Sequence, residues 1–150
     1  MGESLTIRGT PLVAGVADGL ALASDVPISF WGGVDPDHGT VIDQRHPWVG
    51  ERVSGRVLVL PQGRGSCSAS GVFLESVANG VGPSAVVVSS SDPVIGLGAV
   101  LADELLGQRV PVVLVAEADR VRITSGRRVR VEPDGTLTVD TLAADEKTSG

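Results

Sequence analysis

A short polar segment carries most of the groups in this chain that could do chemistry. "GRGSCSASG", residues 63–71, follows the apolar run "RVLVLP" and holds three glycines, three serines and the single cysteine. Gly63 and Gly65 let backbone N–H groups approach a ligand closely. A helix that follows would point its N-terminus at the same place, which favours a bound anion. Arg64 could clamp a carboxylate with two parallel hydrogen bonds, so the segment predicts an anion site.

The segment does not match the common phosphate and hydrolase motifs. A dinucleotide fingerprint needs glycine where Ser68 stands, and a P-loop needs a lysine that is absent here. Neither Ser66 nor Ser68 has the flanking glycines of a nucleophile elbow. From the residues alone, each serine could cap a helix or face a ligand. Cys67 could equally be a small buried apolar residue.

Composition excludes several classes of function. The net charge of −6 and the pI of about 4.8 oppose binding to nucleic acid. No apolar run reaches the roughly 20 residues of a membrane span, and we expect a cytoplasmic protein with no membrane contact. One cysteine cannot form an internal disulfide or hold an iron–sulfur cluster alone. The loop "DPDHGTVIDQRH" has Thr40 and His46 where a calcium loop needs Gly and Glu, so no metal site is expected.

The periodicity of the sequence predicts a single α/β domain over residues 1–142, with a mobile tail at 143–150. The fold is expected to be a mixed sheet or a flattened barrel with two or three helices. Asp92 is predicted to cap the second helix, and Gly80 and Gly107 to end the two main helices. Strands are predicted at 4–8, 13–24, 28–31, 56–61, 84–90, 110–117, 120–124, 128–132 and 136–140, and helices at 70–79 and 92–107.

Two segments together resemble a known family. The pairing of "DPDHGTVID" at 35–43 with "LPQGRGSCS" at 60–68 is similar to the small subunit, or swivel domain, of the aconitase X family. The resemblance covers roughly residues 12–117 and is densest at 29–75. It implies a swivelling β/β/α domain, similar to the mobile domain of aconitase. It also implies half of a heteromeric hydro-lyase that is inactive without its large subunit.

The resemblance assigns roles to four residues of the polar segment. It implies that Ser66 is the catalytic base, with Ser68 as the alternative. Arg64, Gly65 and Ser68 would hold the carboxylate of a small substrate. The large subunit would carry an iron–sulfur cluster that acts as a Lewis acid on the leaving hydroxyl. No role is assigned to Trp31, Asp35 or Cys67.

The substrate depends on the branch of the family. The loop "GRGSCS" resembles bacterial members that dehydrate cis-3-hydroxy-L-proline to a pyrroline-2-carboxylate, although Ala69 stands where that branch has glycine. Archaeal members, whose loop is similar to "GKGST", dehydrate phosphomevalonate. We therefore expect a hydroxyproline dehydratase small subunit. The alternatives are a phosphomevalonate dehydratase small subunit and a non-catalytic module that binds small anions.

Overall fold

The computed structural model describes residues 4–63, 67–91 and 93–140. Eight strands form one sheet in the order β1-β10-β9-β3-β6-β7-β8-β2, and β4 and β5 form a small hairpin. The strands are β1 Ser4–Arg8, β2 Thr10–Val13, β3 Ala17–Ala23, β4 Val34–Asp35, β5 Thr40–Val41, β6 Val57–Leu60, β7 Ala85–Val88, β8 Val112–Leu114, β9 Arg128–Val131 and β10 Thr136–Asp140. The helices are α1 Cys67–Ala78, α2 Pro93–Leu106 and α3 Glu117–Arg120. Across the described residues, no helix is both long and apolar enough to cross a bilayer.

The sheet closes on itself at Gly9. Strands β1 and β2 lie at opposite ends of the strand order, yet only Gly9 separates them in the chain. The Gly9 N–H donates to the carbonyl of Gly135 at 3.1 Å. A Cβ at Gly9 would collide with the side chain of Val113 on β8. The two edges therefore come together at this glycine. Of the two predicted arrangements, the mixed sheet is the one observed, since it contains both parallel and antiparallel pairs.

Replacing Gly9 by Ala is expected to lower the free energy of unfolding by about 1–3 kcal/mol. The added methyl group would collide with the side chain of Val113 where the two edges of the sheet meet. Urea unfolding followed by circular dichroism measures this. The matched control is Gly71→Ala, since Gly71 is an exposed residue of α1 with open space around its Cβ position. That control should gain about 0.5–1 kcal/mol from helix propensity. Equal urea midpoints for Gly9→Ala and the wild type would contradict close packing of the two sheet edges at Gly9.

The central parallel strands are buried on both faces and separate two cores. In β6, Val57 and Val59 face one core while Leu58 and Leu60 face the other. The core that contains Val57 and Val59 lies between the two halves of the curled sheet. The second lies between the parallel strands and helices α1 and α2, where Phe73 packs edge-on against Phe30 at 5.1 Å. The two halves of the sheet and the pair of helices form three layers, which is the β/β/α arrangement that the family resemblance implies.

Glycines end the two long helices and let them approach each other. Gly80 and Gly107 follow α1 and α2 with φ of +76° and +66°, the left-handed conformation typical of a helix C-terminus. Both predicted stops are confirmed. A Cβ at Gly98 on α2 would lie 2.8 Å from Cδ1 of Phe73 on α1. A side chain at position 98 would therefore push the helices apart.

Two predicted strands are wrong. Of residues 28–31, only Ile28 makes a β-bridge, to Gly63, and the chain then turns. Residues 120–124 instead contain the end of α3 and a turn. The alternation of "RVRIT" is typical of a strand with one solvent-exposed face. Arg120 is buried instead, because it pairs with the carboxylate of Glu117 three residues earlier. Strand β2 was missed, since Pro11 in a four-residue segment argues against a strand.

Some predictions fall on residues outside the described ranges. These are the capping role of Asp92, the position of the boundary at 142 and the mobility of the tail at 143–150. They remain predictions.

Candidate active site at the carboxyl edge of the parallel strands

Four parallel strands end at the same edge of the sheet. Strand β3 pairs with β6, β6 with β7 and β7 with β8, all in parallel. Ligands of α/β sheets bind outside the carboxyl ends of such strands. The polar segment at 63–71 begins three residues after β6 ends at Leu60, and α1 begins within it at Cys67. The fold therefore brings the predicted anion site to the edge where a ligand is expected.

The structure describes one of the four predicted site residues. Ser68 is exposed in the first turn of α1. Arg64, Gly65 and Ser66 lie outside the described residues, so their predicted roles remain predictions. Ser70, which sequence reasoning treated only as part of the segment, is buried and donates to the carbonyl of Val94 at 2.6 Å.

Two helix N-termini converge at this edge. Helix α1 follows β6 and α2 follows β7, so both begin at the carboxyl ends of the strands. The bond from Ser70 to Val94 ties their first turns together. Each N-terminus carries a partial positive charge. The first turn of α1 contains no acidic residue, whereas Asp92 directly precedes α2 in the sequence. The N-terminus of α1 therefore suits an anion although the whole chain is acidic.

A buried arginine joins three of the strand ends. The Arg120 guanidinium donates to both carboxylate oxygens of Glu117, at 2.8 and 2.6 Å, and to the carbonyl of Ser24 at 3.0 Å. The Ser89 hydroxyl donates to Glu117 at 2.5 Å. Ser24, Ser89 and Glu117 follow β3, β7 and β8 respectively. Sequence reasoning missed this network, although the Glu-x-x-Arg spacing of "EADR" was a usable signal.

The hydrogen bonds to Glu117 should make the free energy of unfolding depend on pH in acid. Hydrogen bonds from Arg120 and then Ser89 lower the pKa of Glu117 from 4.5 to about 2. Because the folded pKa lies below the unfolded one, this stabilisation is present above about pH 4.5 and is lost as the pH falls towards 2. Urea midpoints measured between pH 6 and 2.5 should fall less steeply for Glu117→Gln than for the wild type. Glu75→Gln, an exposed carboxyl on α1, should keep the wild-type slope. Equal slopes for wild type and Glu117→Gln would contradict the role of the pair.

The second motif of the sequence forms a local turn. Asp35 accepts from the ring of His38 at 2.8 Å and from the backbone N–H of Asp37 at 2.9 Å. These two hydrogen bonds hold the pKa of the Asp35 carboxyl below its usual range. Among the described residues, no three His, Cys, Asp or Glu side chains are grouped to hold a metal ion.

His46 is a structural residue. Its side chain is buried beneath the loop, and Nδ1 accepts from the Trp48 backbone N–H at 3.1 Å. Nε2 donates to the carbonyl of Val26 at 2.9 Å. These two bonds assign the neutral tautomer with its proton on Nε2, in which both ring nitrogens are used within the fold.

The fold defines a class of protein. A curled sheet in two halves, covered by two helices whose N-termini share one edge with a polar loop, is a swivel-type β/β/α domain. The chain belongs to the aconitase X swivel domain family, whose sequence model matches residues 6–139. That range is wider than residues 12–117, over which the sequence motifs predict the resemblance.

Curated relatives and solved structures agree with this assignment. A cis-3-hydroxy-L-proline dehydratase from Hypocrea jecorina is 43% identical over 132 residues, which cover 88% of this chain and 22% of that protein. A phosphomevalonate dehydratase small subunit from Methanothrix thermoacetophila is 38% identical over 127 residues, covering 83% and 93%. The crystal structure of holo aconitase X from Thermococcus kodakaraensis superposes with a TM-score of 0.81 at 31% identity, covering 90% of this chain and 98% of that chain. The chain thus spans about a fifth of the Hypocrea relative.

Proposed function

We propose that this chain is the small, swivel-domain component of a hydro-lyase that dehydrates cis-3-hydroxy-L-proline. The observation that carries the proposal is the position of "GRGSCS", which begins three residues after β6 and runs into the first turn of α1 at the carboxyl edge of the parallel strands. Two relatives named as dehydratases of this amino acid are 43% and 44% identical to the chain. The carboxylate group of this substrate suits an edge formed by two helix N-termini.

In the proposed reaction, Ser66 takes the proton from carbon 2 while the hydroxyl leaves carbon 3 with the electron pair of its bond. The resulting enamine moves a proton to give the cyclic imine, a pyrroline-2-carboxylate. A serine is a poor base unless the charge on its oxygen is stabilised. Helix α1 begins at Cys67, the residue after Ser66, and its first turn contains no acidic residue. That helix N-terminus supports the assignment of Ser66.

The substrate carboxylate would be held by the neighbouring residues. Arg64 can bind it through two parallel hydrogen bonds, and Gly65 leaves its backbone N–H open to close approach. Ser68 is exposed in the first turn of α1, where its hydroxyl can reach a ligand at the edge. In this assignment Ser68 binds the substrate and Ser66 moves the proton.

The proposal requires a large partner subunit. An iron–sulfur cluster takes several thiolate ligands, whereas this chain contains one cysteine. The residues of this chain therefore do not fit the cluster, and we place it in the partner, where it would act as a Lewis acid. No step assigned to this chain passes through the cluster. The cytoplasm is the proposed location, since thiolate ligands stay reduced there.

A second candidate function is supported by other relatives of this chain. The phosphomevalonate dehydratase small subunit from Methanothrix thermoacetophila is 38% identical over 83% of this chain. A small subunit that acts on phosphomevalonate is therefore the alternative. Its substrate carries a carboxylate and a phosphate group, so the same edge could bind it.

The test is an anaerobic affinity purification of this chain from its own cells. We expect a brown complex with a larger chain that dehydrates cis-3-hydroxy-L-proline. Turnover of phosphomevalonate instead would select the second candidate. Recovery of the chain alone, colourless, inactive and able to bind small carboxylates in a titration, would overturn the enzyme proposal in favour of a non-catalytic anion-binding module.

A further inference from the structure

An exposed tryptophan is held on a tight turn close to the candidate active site. The side chain of Trp31 is 66% exposed, whereas its neighbour Phe30 is 1% exposed and packs against Phe73 of α1. The chain folds back at once, because the N–H groups of Gly33 and Val34 both donate to the carbonyl of Phe30, at 3.3 and 3.1 Å. Phe30 thus anchors the turn in the core and Trp31 projects from it.

The turn depends on two glycines. Gly32 has φ of +76°, a conformation that other residues adopt only with strain. A Cβ at Gly33 would collide with the carbonyl oxygen of Ser29. The Ser29 hydroxyl also donates to the carbonyl of Trp31 at 3.2 Å. The backbone that carries Trp31 is therefore fixed in advance, which reduces the entropy lost when the side chain is covered.

Apolar neighbours extend this exposed area. Val26 and Ile42 are 40% and 47% exposed, and both line a cavity of about 530 Å³ together with Gly32, the residue after Trp31. Trp31 lies next to this cavity in the chain and is not one of its lining residues. Residues 43–46 form the rest of the cavity wall and supply polar groups. We call Val26, Trp31 and Ile42 the Trp31 surface. Exposed aromatic and aliphatic residues next to polar groups are typical of a protein–protein interface.

The Trp31 surface lies beside the carboxyl edge. The Ser24 N–H donates to the carbonyl of Val59 on β6 at 2.9 Å, and Ile28 makes a parallel bridge to Gly63. The segment from Ser24 to Ile28 therefore runs alongside the end of β6 and the start of the polar segment. Trp31 follows three residues later. A protein that covers the candidate active site would extend over the Trp31 surface.

We propose that the Trp31 surface is the docking site for the large dehydratase subunit, with Trp31 as its main anchor. This inference rests on the proposed function, which supplies the partner. In the Hypocrea dehydratase the matched residues are 22% of one longer chain, so a much larger part of that protein lies outside this domain. Tryptophan is among the residues that most often dominate binding energy at interfaces.

A second exposed apolar residue provides a matched control. Leu105 is 67% exposed, almost the same fraction as Trp31, but it lies near the C-terminal end of α2. Since α2 begins at the carboxyl edge, Leu105 is about 18 Å along the helix from that edge, at the rise of about 1.5 Å per residue. A partner that covers the active site should leave Leu105 uncovered.

The test compares the affinities of Trp31→Ala and Leu105→Ala for the large subunit purified from the same cells. Loss of the anchor should weaken binding by about 10-fold or more, and the control should bind within about 2-fold of the wild type. Equal affinities for Trp31→Ala and the wild type would overturn the docking site alone. A wild-type chain that binds no large subunit would overturn the proposed function and the docking site together.

A second measurement tests the contact of Trp31 with the large subunit in the wild-type chain, where no substitution can affect folding. The chain has two tryptophans, of which Trp48 is buried, so labelling with 5-fluorotryptophan gives two fluorine signals. Adding the unlabelled large subunit should shift the signal of Trp31 and leave that of Trp48 nearly unchanged. A complex in which the Trp31 signal keeps its position would contradict the proposal.

Discussion

Replacing Ser66 by Ala in the assembled complex is expected to lower kcat for dehydration by about 10²–10⁴-fold, the usual contribution of a positioned general base. Without the serine oxygen, no group of this chain is assigned to take the proton from carbon 2. The complex should still form, because Ser66 is not part of the proposed docking surface. Steady-state assays of the anaerobic complex, with the yield of large subunit as the assembly control, measure both effects.

The matched variant is Ser68→Ala, two residues along the same segment. If Ser68 binds the carboxylate, this change should raise KM more than it lowers kcat. If Ser68 is the base, Ser68→Ala should show the large loss of kcat and Ser66→Ala should mainly raise KM. Near-normal turnover of Ser66→Ala in an intact complex would remove Ser66 from the mechanism.

Replacing Phe73 by Ala is expected to lower the free energy of unfolding by about 3–5 kcal/mol, the usual range for a buried phenylalanine. Phe73 is fully buried, packs edge-on against Phe30 and lies against Gly98 where α1 and α2 touch. The glycine has no side chain to fill the space that the ring would leave. Such a loss is a large part of the roughly 5–15 kcal/mol that stabilises a typical domain.

Urea unfolding of the isolated chain measures this loss, with Val100→Ala as the control. Val100 is 45% exposed on α2, so its truncation should change the free energy of unfolding by no more than about 0.5 kcal/mol. A loss below about 1 kcal/mol for Phe73→Ala would mean that the helices close over the cavity. Because Phe30 supports the Trp31 turn, Phe73→Ala should also weaken binding of the large subunit.

Elements with a strong local signal were predictable from the sequence. Strand β10 was predicted at 136–140 and is observed at Thr136–Asp140, because "TLTVD" alternates and follows the turn "PDG". Helix α2 was predicted at 92–107 and is observed at Pro93–Leu106, with Gly107 as its stop. In these segments, local conformational preference and tertiary packing favour the same structure. The motifs at 35–43 and 60–68 together were also sufficient to predict the family.

Contacts between residues distant in the chain could not be predicted in this way. The alternation of "RVRIT" favours a strand, but Arg120 ends a short helix because Ser24 and Glu117 accept its hydrogen bonds. Residues 28–31 favour a strand by composition, but burying Phe30 against Phe73 makes the chain turn there.

By itself, the sequence determined a mixed α/β domain and the polar segment that follows β6, and its resemblance to a known family implied the β/β/α arrangement. The domain and the segment depend on hydrophobic period, on helix-ending glycines and on residues adjacent in the chain, whereas the resemblance depends on the two short motifs at 35–43 and 60–68. Only the tertiary structure decided that the sheet closes at Gly9, that the two helix N-termini share one edge and that Trp31 projects beside it. Each of these depends on which distant segments come into contact, and that is set by the joint packing of the two cores.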